Sequence, residues 1–296
     1  MSNPVFPSFM DYTESAYSFG GPGGVMRTDV AGGPPRYTLD YDRGLQQFAI
    51  SMVLNKGQFS AWVAFFLHII KKGAITFDMQ LDSGFGQQTH ACNIVPGTYS
   101  ATRAGGDWVV VSFVVESESK TYSLSDSAVA AYGLSAGTFP PGMLPVVNGH
   151  MLIGPDGVLR DDVPGGVSAY ALDWDRGLQR FDCTLILDAA KFAIWSVWYH
   201  RLIKKGAYTF TMRLDSGFGS QDHSANIVPG SYSATRSGGD WTSVSFVVEA
   251  EPKAYDLTLA DAQILIETHN FYGREASYLL ARINQFANVD SLVINF

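Results

Sequence analysis

The chain repeats itself. Residues 37–48 read YTLDYDRGLQQF and residues 170–181 read YALDWDRGLQRF, an offset of 133 (170 less 37). The same offset carries IKKG at 70–73 onto 203–206, DSGFG at 82–86 onto 215–219, IVPG at 94–97 onto 227–230 and GGDW at 105–108 onto 238–241. From residue 21 to residue 124 no gap is needed, and 61 of 104 positions are identical. A fainter echo pairs Phe6, Pro7 and Met10 with Phe139, Pro140 and Met143. A period of this length lies far beyond the roughly 20–50 residues of solenoid repeats, so each copy is expected to close its own core. The expected division is a first module over 1–124, a connection over 125–133, a second module over 134–257 and a C-terminal extension over 258–296. The extension reads as having no twin in the first copy.

Composition narrows the function classes. Hydrophobic residues make up 46% of 296 and charged residues 16%, enough apolar material for a real core. With 20 basic against 28 acidic residues the net charge is -8, which argues against gripping nucleic acid through its phosphates. It is compatible with letting DNA pass without sticking. Two cysteines exclude a disulfide-built scaffold. Residues 1–10 carry no basic residue and no long apolar stretch, so no secretory signal is expected. The longest apolar run, near 62–70, is far short of the roughly 20 residues that a spanning helix needs, and no membrane partner is expected.

Each copy reads as β-α-β-β-β. Phe48, Ile50, Met52 and Leu54 alternate with Ala49, Ser51 and Val53, a half-buried strand echoed by Phe181, Cys183, Leu185 and Leu187. Asn55 or Asp188 can cap the helix that follows. Phe59, Trp62, Phe66 and Ile70 share one face of it, and Gly73 and Gly206 stop it after two lysines. Ile75, Phe77, Met79 and Leu81 predict the next strand, and 83–89 a Gly-rich loop. Short strands at 92–95 and 98–103 flank the Pro96-Gly97 turn, and a long valine-rich strand starts at Trp108. The expected fold class is α+β and β-rich: two tandem split-barrel-like modules plus a C-terminal helical extension. In that extension, 259–267 and 276–286 have helical apolar spacing, and 291–296 reads as a short strand. Strands and turns match closely between the copies but the helix does not: from 49 to 69 only Leu54, Phe59 and Trp62 have identical counterparts. Either the helix face has drifted, or the two helices meet different surroundings.

No catalytic set emerges. His90 and His223 recur near Asp82 and Asn93, but no second histidine or CxxC accompanies them, and they read as hydrogen-bonding loop residues. Asp40 and Asp42, with Asp173 and Asp175, form D-x-D pairs of the sort acid–base chemistry uses. Arg43 and Arg176 follow and can neutralise them, so a salt-bridged turn is expected; a hydrolase would need this set. The loop at 83–86 lacks a G-x-S-x-G elbow and a G-K-[ST] phosphate cradle. The segment 21–24 gives no dinucleotide fingerprint because no strand is expected before it. Cys92 and Cys183 are not duplicated and read as core residues. Trp62, Trp195, Trp108 and Trp241 also read as core rather than as a sugar-binding face. No enzyme activity, cofactor or metal is expected.

The Gly-rich lead-in at 20–33, the alternating strand at 48–54, the helix ending at Gly73, the strand at 75–81 and the final strand from Trp108 closing in V-V-E-x-E resemble one family pattern. It is that of the minor tail protein M family of lambda-like bacteriophages and the related split-barrel domain of distal tail proteins. The resemblance covers most of each copy. It implies a non-enzymatic virion component, made in the host cytoplasm, that forms a ring around the tail channel and contacts adjacent tail-tube and tail-tip proteins. Phage DNA would pass through without specific binding. This chain departs from the pattern in having two modules and an extension. A duplicated module then implies a homotrimer that is a pseudo-hexamer. Asp82 and Asp215, at strand ends in Gly-rich loops, are the best candidates to face the lumen. The alternatives are a carbohydrate- or receptor-binding module of a virion and a duplicated tail-tube protein.

Overall fold

The computed structural model describes residues 2–279 apart from 14–16, 22, 31–32, 146–150, 154–156, 163–165, 174–175, 218, 238–239 and 277. The first repeat runs β1 (Ser18–Gly20), β2 (Val25–Val30), β3 (Gly33–Leu39), β4 (Leu45–Asn55), α1 (Lys56–Ala64), β5 (Phe77–Asp82), β6 (Gln87–Ile94), β7 (Ser100–Gly105), β8 (Trp108–Glu118) and the short α2 (Asp126–Ala130). The second runs β9 (Met151–Ile153), β10 (Val158–Asp161), β11 (Ala169–Leu172), β12 (Gln179–Leu187), α3 (Ala189–Val197), β13 (Phe210–Asp215), β14 (Ser220–Ile227), β15 (Ser233–Arg236), β16 (Thr242–Ala250) and α4 (Leu259–Tyr272). The protein is α+β and β-rich. Twelve of these strands form one antiparallel sheet, while β2–β3 and β10–β11 are separate two-stranded arms.

The alternation in β4 carries its apolar set to one side, where Phe48, Ile50, Met52 and Leu54 are buried. β4 pairs along its whole length with β8, from Leu45 opposite Glu118 to Asn55 opposite Trp108. β12 and β16 repeat this from Gln179–Ala250 to Leu187–Thr242. Asn55 caps α1 by accepting from the Gln58 amide, and the Gln58 side chain returns to the Asn55 amide. Trp62 then lies face to face with Phe113 at 5.0 Å, and Trp195 sits 4.8 Å from Phe246. Each helix runs on through a π turn (Phe65–Ile69, Trp198–Leu202) into a 3-10 turn, Lys71–Gly73 and Lys204–Gly206. Even the N-terminal echo is structural: Val5 bridges Asp78, and Thr138 bridges Thr211.

Several expectations change. β1 ends at the start of the Gly-rich lead-in, which continues into the β2–β3 arm, so a strand does precede 21–24. A strand, not a helix, follows it, and that is the ground on which a dinucleotide site fails there. β6 begins at Gln87, five residues before the expected Cys92, so His90 and His223 are strand residues rather than loop residues. Trp62 and Trp195 are core, but Trp108 and Trp241 are each 50% exposed. The extension has a partial twin: Ser125 caps α2 and Thr258 caps α4, again 133 apart (258 less 125). Most of 276–286, and all of 291–296, lie outside the described residues.

Candidate functional site

The two repeats meet along a seam made by β1. Phe19 pairs with Phe48 of β4 on one side and with Ala234 of β15 on the other, so one three-residue strand joins the halves into a single sheet. Phe19 also packs on Phe192 of α3, with ring centroids 5.5 Å apart.

A charged cluster closes the seam. Glu249 of β16 is 1% exposed, and its carboxylate accepts from Arg27 of the β2–β3 arm at 2.9 Å and from Arg180 at 2.9 Å. The Tyr37 hydroxyl of the same arm also donates to it. Burial alone would raise the Glu249 pKa, but the Arg27, Tyr37 and Arg180 hydrogen bonds outweigh it and hold the carboxyl below its ordinary range. Arg27 and Tyr37 lie opposite one another in the arm, so both side chains reach one face.

Nearby, Lys205 is held at φ 62° and buried, with Nζ donating to the Gly23 carbonyl at 2.9 Å and the Tyr41 carbonyl at 2.7 Å. Desolvation lowers its pKa, partly offset by Asp42. A Cβ on Gly24 would stand 2.6 Å from that Nζ, so glycine is required for the approach. Lys204 pairs with Asp42 at 2.8 Å, Arg236 with Asp82 at 3.6 Å, and Arg201 with Asp126 at 2.6 Å while also donating to the Thr121 and Leu124 carbonyls. Every one of these contacts joins a residue of the first repeat, or of α2 after it, to the second repeat.

The residues singled out from the sequence fall as follows. Asp42 pairs with Lys204, not with Arg43, which reaches Glu118 at 3.5 Å; Arg176 likewise reaches Glu251 at 3.0 Å. Asp40 and Asp173 are exposed, and Asp175 lies outside the described residues. No acid–base pair is assembled there among the described residues. Asp82 and Asp215 each accept the amide two residues on, from Gly84 and Gly217 at 2.8 Å. Asp82 lies in the seam on Arg236, whereas Asp215 is exposed. His90 Nδ1 meets Ser117 Oγ at 3.2 Å and His223 Nδ1 meets the Glu251 carbonyl at 3.0 Å. Cys92 and Cys183 are buried and free, their thiols pushed up to about 12 by burial. No group of three metal-ligating side chains occurs among the described residues. An open groove of about 760 Å³ lies between residues 5–12 and strands β5 and β6, but of its two carboxylates Asp78 is taken by Asn3.

Sequence reading missed the seam because its two arms are rich in glycine and proline. A signal was present: Arg27 and Tyr37 recur as Arg160 and Tyr170, and Glu249 recurs as Glu116. Comparison with known protein families finds no match, and comparison with characterised proteins finds no significant similarity.

Proposed function

We propose that the protein is a structural component of a bacteriophage tail, a ring subunit of the tube end or tip in which each repeat is a split-barrel-like module. In this reading three chains close around the DNA channel as a pseudo-hexamer, in contact with neighbouring tail-tube and tail-tip proteins. One observation carries it. The two repeats join head to tail through unlike surfaces, and a head-to-tail contact leaves one unused copy of each surface at the ends of the pair. A duplicated chain built in this way already joins two of the six modules of such a ring. The net charge of -8 suits a channel that DNA traverses without adhering. The test is native mass and negative-stain imaging of the full chain. Three-chain particles with a central hole are expected; compact monomers or six-chain rings contradict the reading.

A second reading, a carbohydrate- or receptor-binding virion module, is favoured by Trp108 and Trp241, which stand half exposed at matching hairpin positions. Replacing both with alanine would abolish host attachment in that case and leave particle assembly intact.

A further inference from the structure

The seam has a second, unused copy of each of its halves. Residues 133 positions after the donor surface, and 133 before the acceptor surface, are largely the same amino acids, and most of those described are exposed. On the first arm Val25, Arg27, Tyr37 and Leu39 are half-buried, with Arg27 and Tyr37 on Glu249 of the second repeat. Their identical counterparts Val158, Arg160, Tyr170 and Leu172 on the β10–β11 arm are all exposed, Tyr170 at 69%. A lone two-stranded arm with four such residues bare is poorly stabilised in water.

The acceptor side shows the same contrast. Glu249 is buried, while its counterpart Glu116 is half-buried and accepts from Gln47 at 2.8 Å beside an open groove of about 560 Å³. Lys205 is buried on two carbonyls, while Lys72 holds the same left-handed backbone, φ 63° against 62°, with its side chain exposed. Ala234 is covered by β1, while its counterpart Ala101 and the rest of β7 are exposed; among the described residues β7 pairs only with β8, and β9 only with β12. Arg236 holds Asp82 in the seam, while Arg103 and Asp215 are both exposed.

We infer that a second copy of this chain completes the pattern: β9 and the β10–β11 arm of one copy dock on the first repeat of the next. There β9 adds to the β7 edge with Leu152 opposite Ala101, as Phe19 lies opposite Ala234. Arg160 and Tyr170 close on Glu116, and Asp215 pairs with Arg103. The start of α4 then takes the place that α2 holds in the seam. That accounts for the divergent helices: Arg201 meets Asp126 within the chain, whereas their counterparts His68 and Leu259, both exposed, meet between chains. The inference extends the ring reading to a defined interface but does not depend on a role in a tail.

The test joins positions that only two copies can bring together. The chain carrying Ala101→Cys and Leu152→Cys is oxidised at tens of micromolar; Cys92 and Cys183 are buried and serve as the silent background. Disulfide-linked multimers are expected from the double variant and from neither single variant. Monomers only, or a native mass of one chain at that concentration, would overturn the inference. A parallel variant, Glu116→Arg, is expected to stay folded, because its in-chain counterpart is untouched, and to weaken self-association by about 30-fold or more. Adding Arg160→Glu to it should restore association; no effect of Glu116→Arg would count against the interface. Crosslinks running beyond three chains would keep the interface and remove the trimer, and a hollow ring without the crosslink would do the reverse.

Discussion

Lys72 and Lys205 occupy the same backbone state in the same turn, yet Lys205 is 2% exposed and Lys72 lies in the open. The contrast extends along the helices before them. Val197, Trp198, Tyr199 and His200 are all buried, whereas of their counterparts Phe65 is buried, Phe66 half-buried, and Ala64 and Leu67 exposed. Both helices cover the same kind of core, with Trp62 and Trp195 fully buried. The difference therefore lies in what covers the outer face: Phe19 of β1 packs on Phe192 of α3 and residues 121–126 hold Arg201 in the turn after it, whereas the matching His68 of the first repeat is exposed. Folding of one repeat thus accounts for the strands and the tryptophan layer, and assembly accounts for where the two copies diverge.

That comparison can be broken most forcefully at the helix face. Phe192 is buried between α3 and Phe19, while its counterpart Phe59 is only partly buried. Phe192→Ala is expected to cost about 3–5 kcal/mol of unfolding free energy in urea titration, and Phe59→Ala less than half as much in the dissociated chain. Equal costs would mean that the seam adds nothing. Next comes the carboxylate pair. Glu249→Ala leaves Arg27 and Arg180 without their buried partner and should cost about 3 kcal/mol. Glu116→Ala should cost about 0.5 kcal/mol or less in the dissociated chain.

The glycine pair gives a smaller contrast. Gly84 and Gly217 both have positive φ, 116° and 104°, so alanine strains either by about 1–2 kcal/mol. At Gly84 the added Cβ would also stand 2.4 Å from Ser196 Oγ across the seam, and at Gly217 it meets open space. Gly84→Ala should therefore be the worse by a further 1–3 kcal/mol, read from thermal unfolding.

Acid gives the smallest effect. Burial lowers His200 to about 3 and His90, with help from Lys120, to about 4. Below pH 6.5 the unfolded chain takes up protons that the folded chain refuses, so stability falls as pH drops from 6.5 toward those values. Glu249 adds a further loss below about 4.5, where the unfolded carboxyl takes up a proton that the folded one, held lower by its hydrogen bonds, still refuses. Since Leu67 stands where the second repeat has His200, His200→Leu should flatten the loss by about 1–2 kcal/mol at pH 5.

Much of the fold was legible in the sequence, and the reasons are local. The alternation Phe48, Ile50, Met52, Leu54 marks a half-buried strand whatever lies outside it, and Asn55 with Gln58 marks the helix start. The arms were not legible, because Gly32, Gly33, Pro34 and Pro35 in the first and Pro164, Gly165 and Gly166 in the second interrupt any strand-like alternation. Their strands gain little from propensity; Arg27 and Tyr37 on Glu249 hold the first one in place, and that partner lies over 200 positions away. Trp108 was misread for the opposite reason. An aromatic at the start of a valine-rich strand suggests core, but the hairpin carries it past the edge of the apolar layer, where Asn55 is its cross-strand neighbour.

The central claim is that the β10–β11 arm is covered by a second copy as the β2–β3 arm is covered within the chain. Amide hydrogen exchange across a concentration series measures this directly. The account predicts that 25–30 and 33–39 are protected at every concentration, while 158–161, 169–172 and the β7 edge at 100–105 exchange quickly in dilute solution and become protected together as copies associate. Exchange at these segments that stays fast and independent of concentration, in a chain that nevertheless associates, would contradict it.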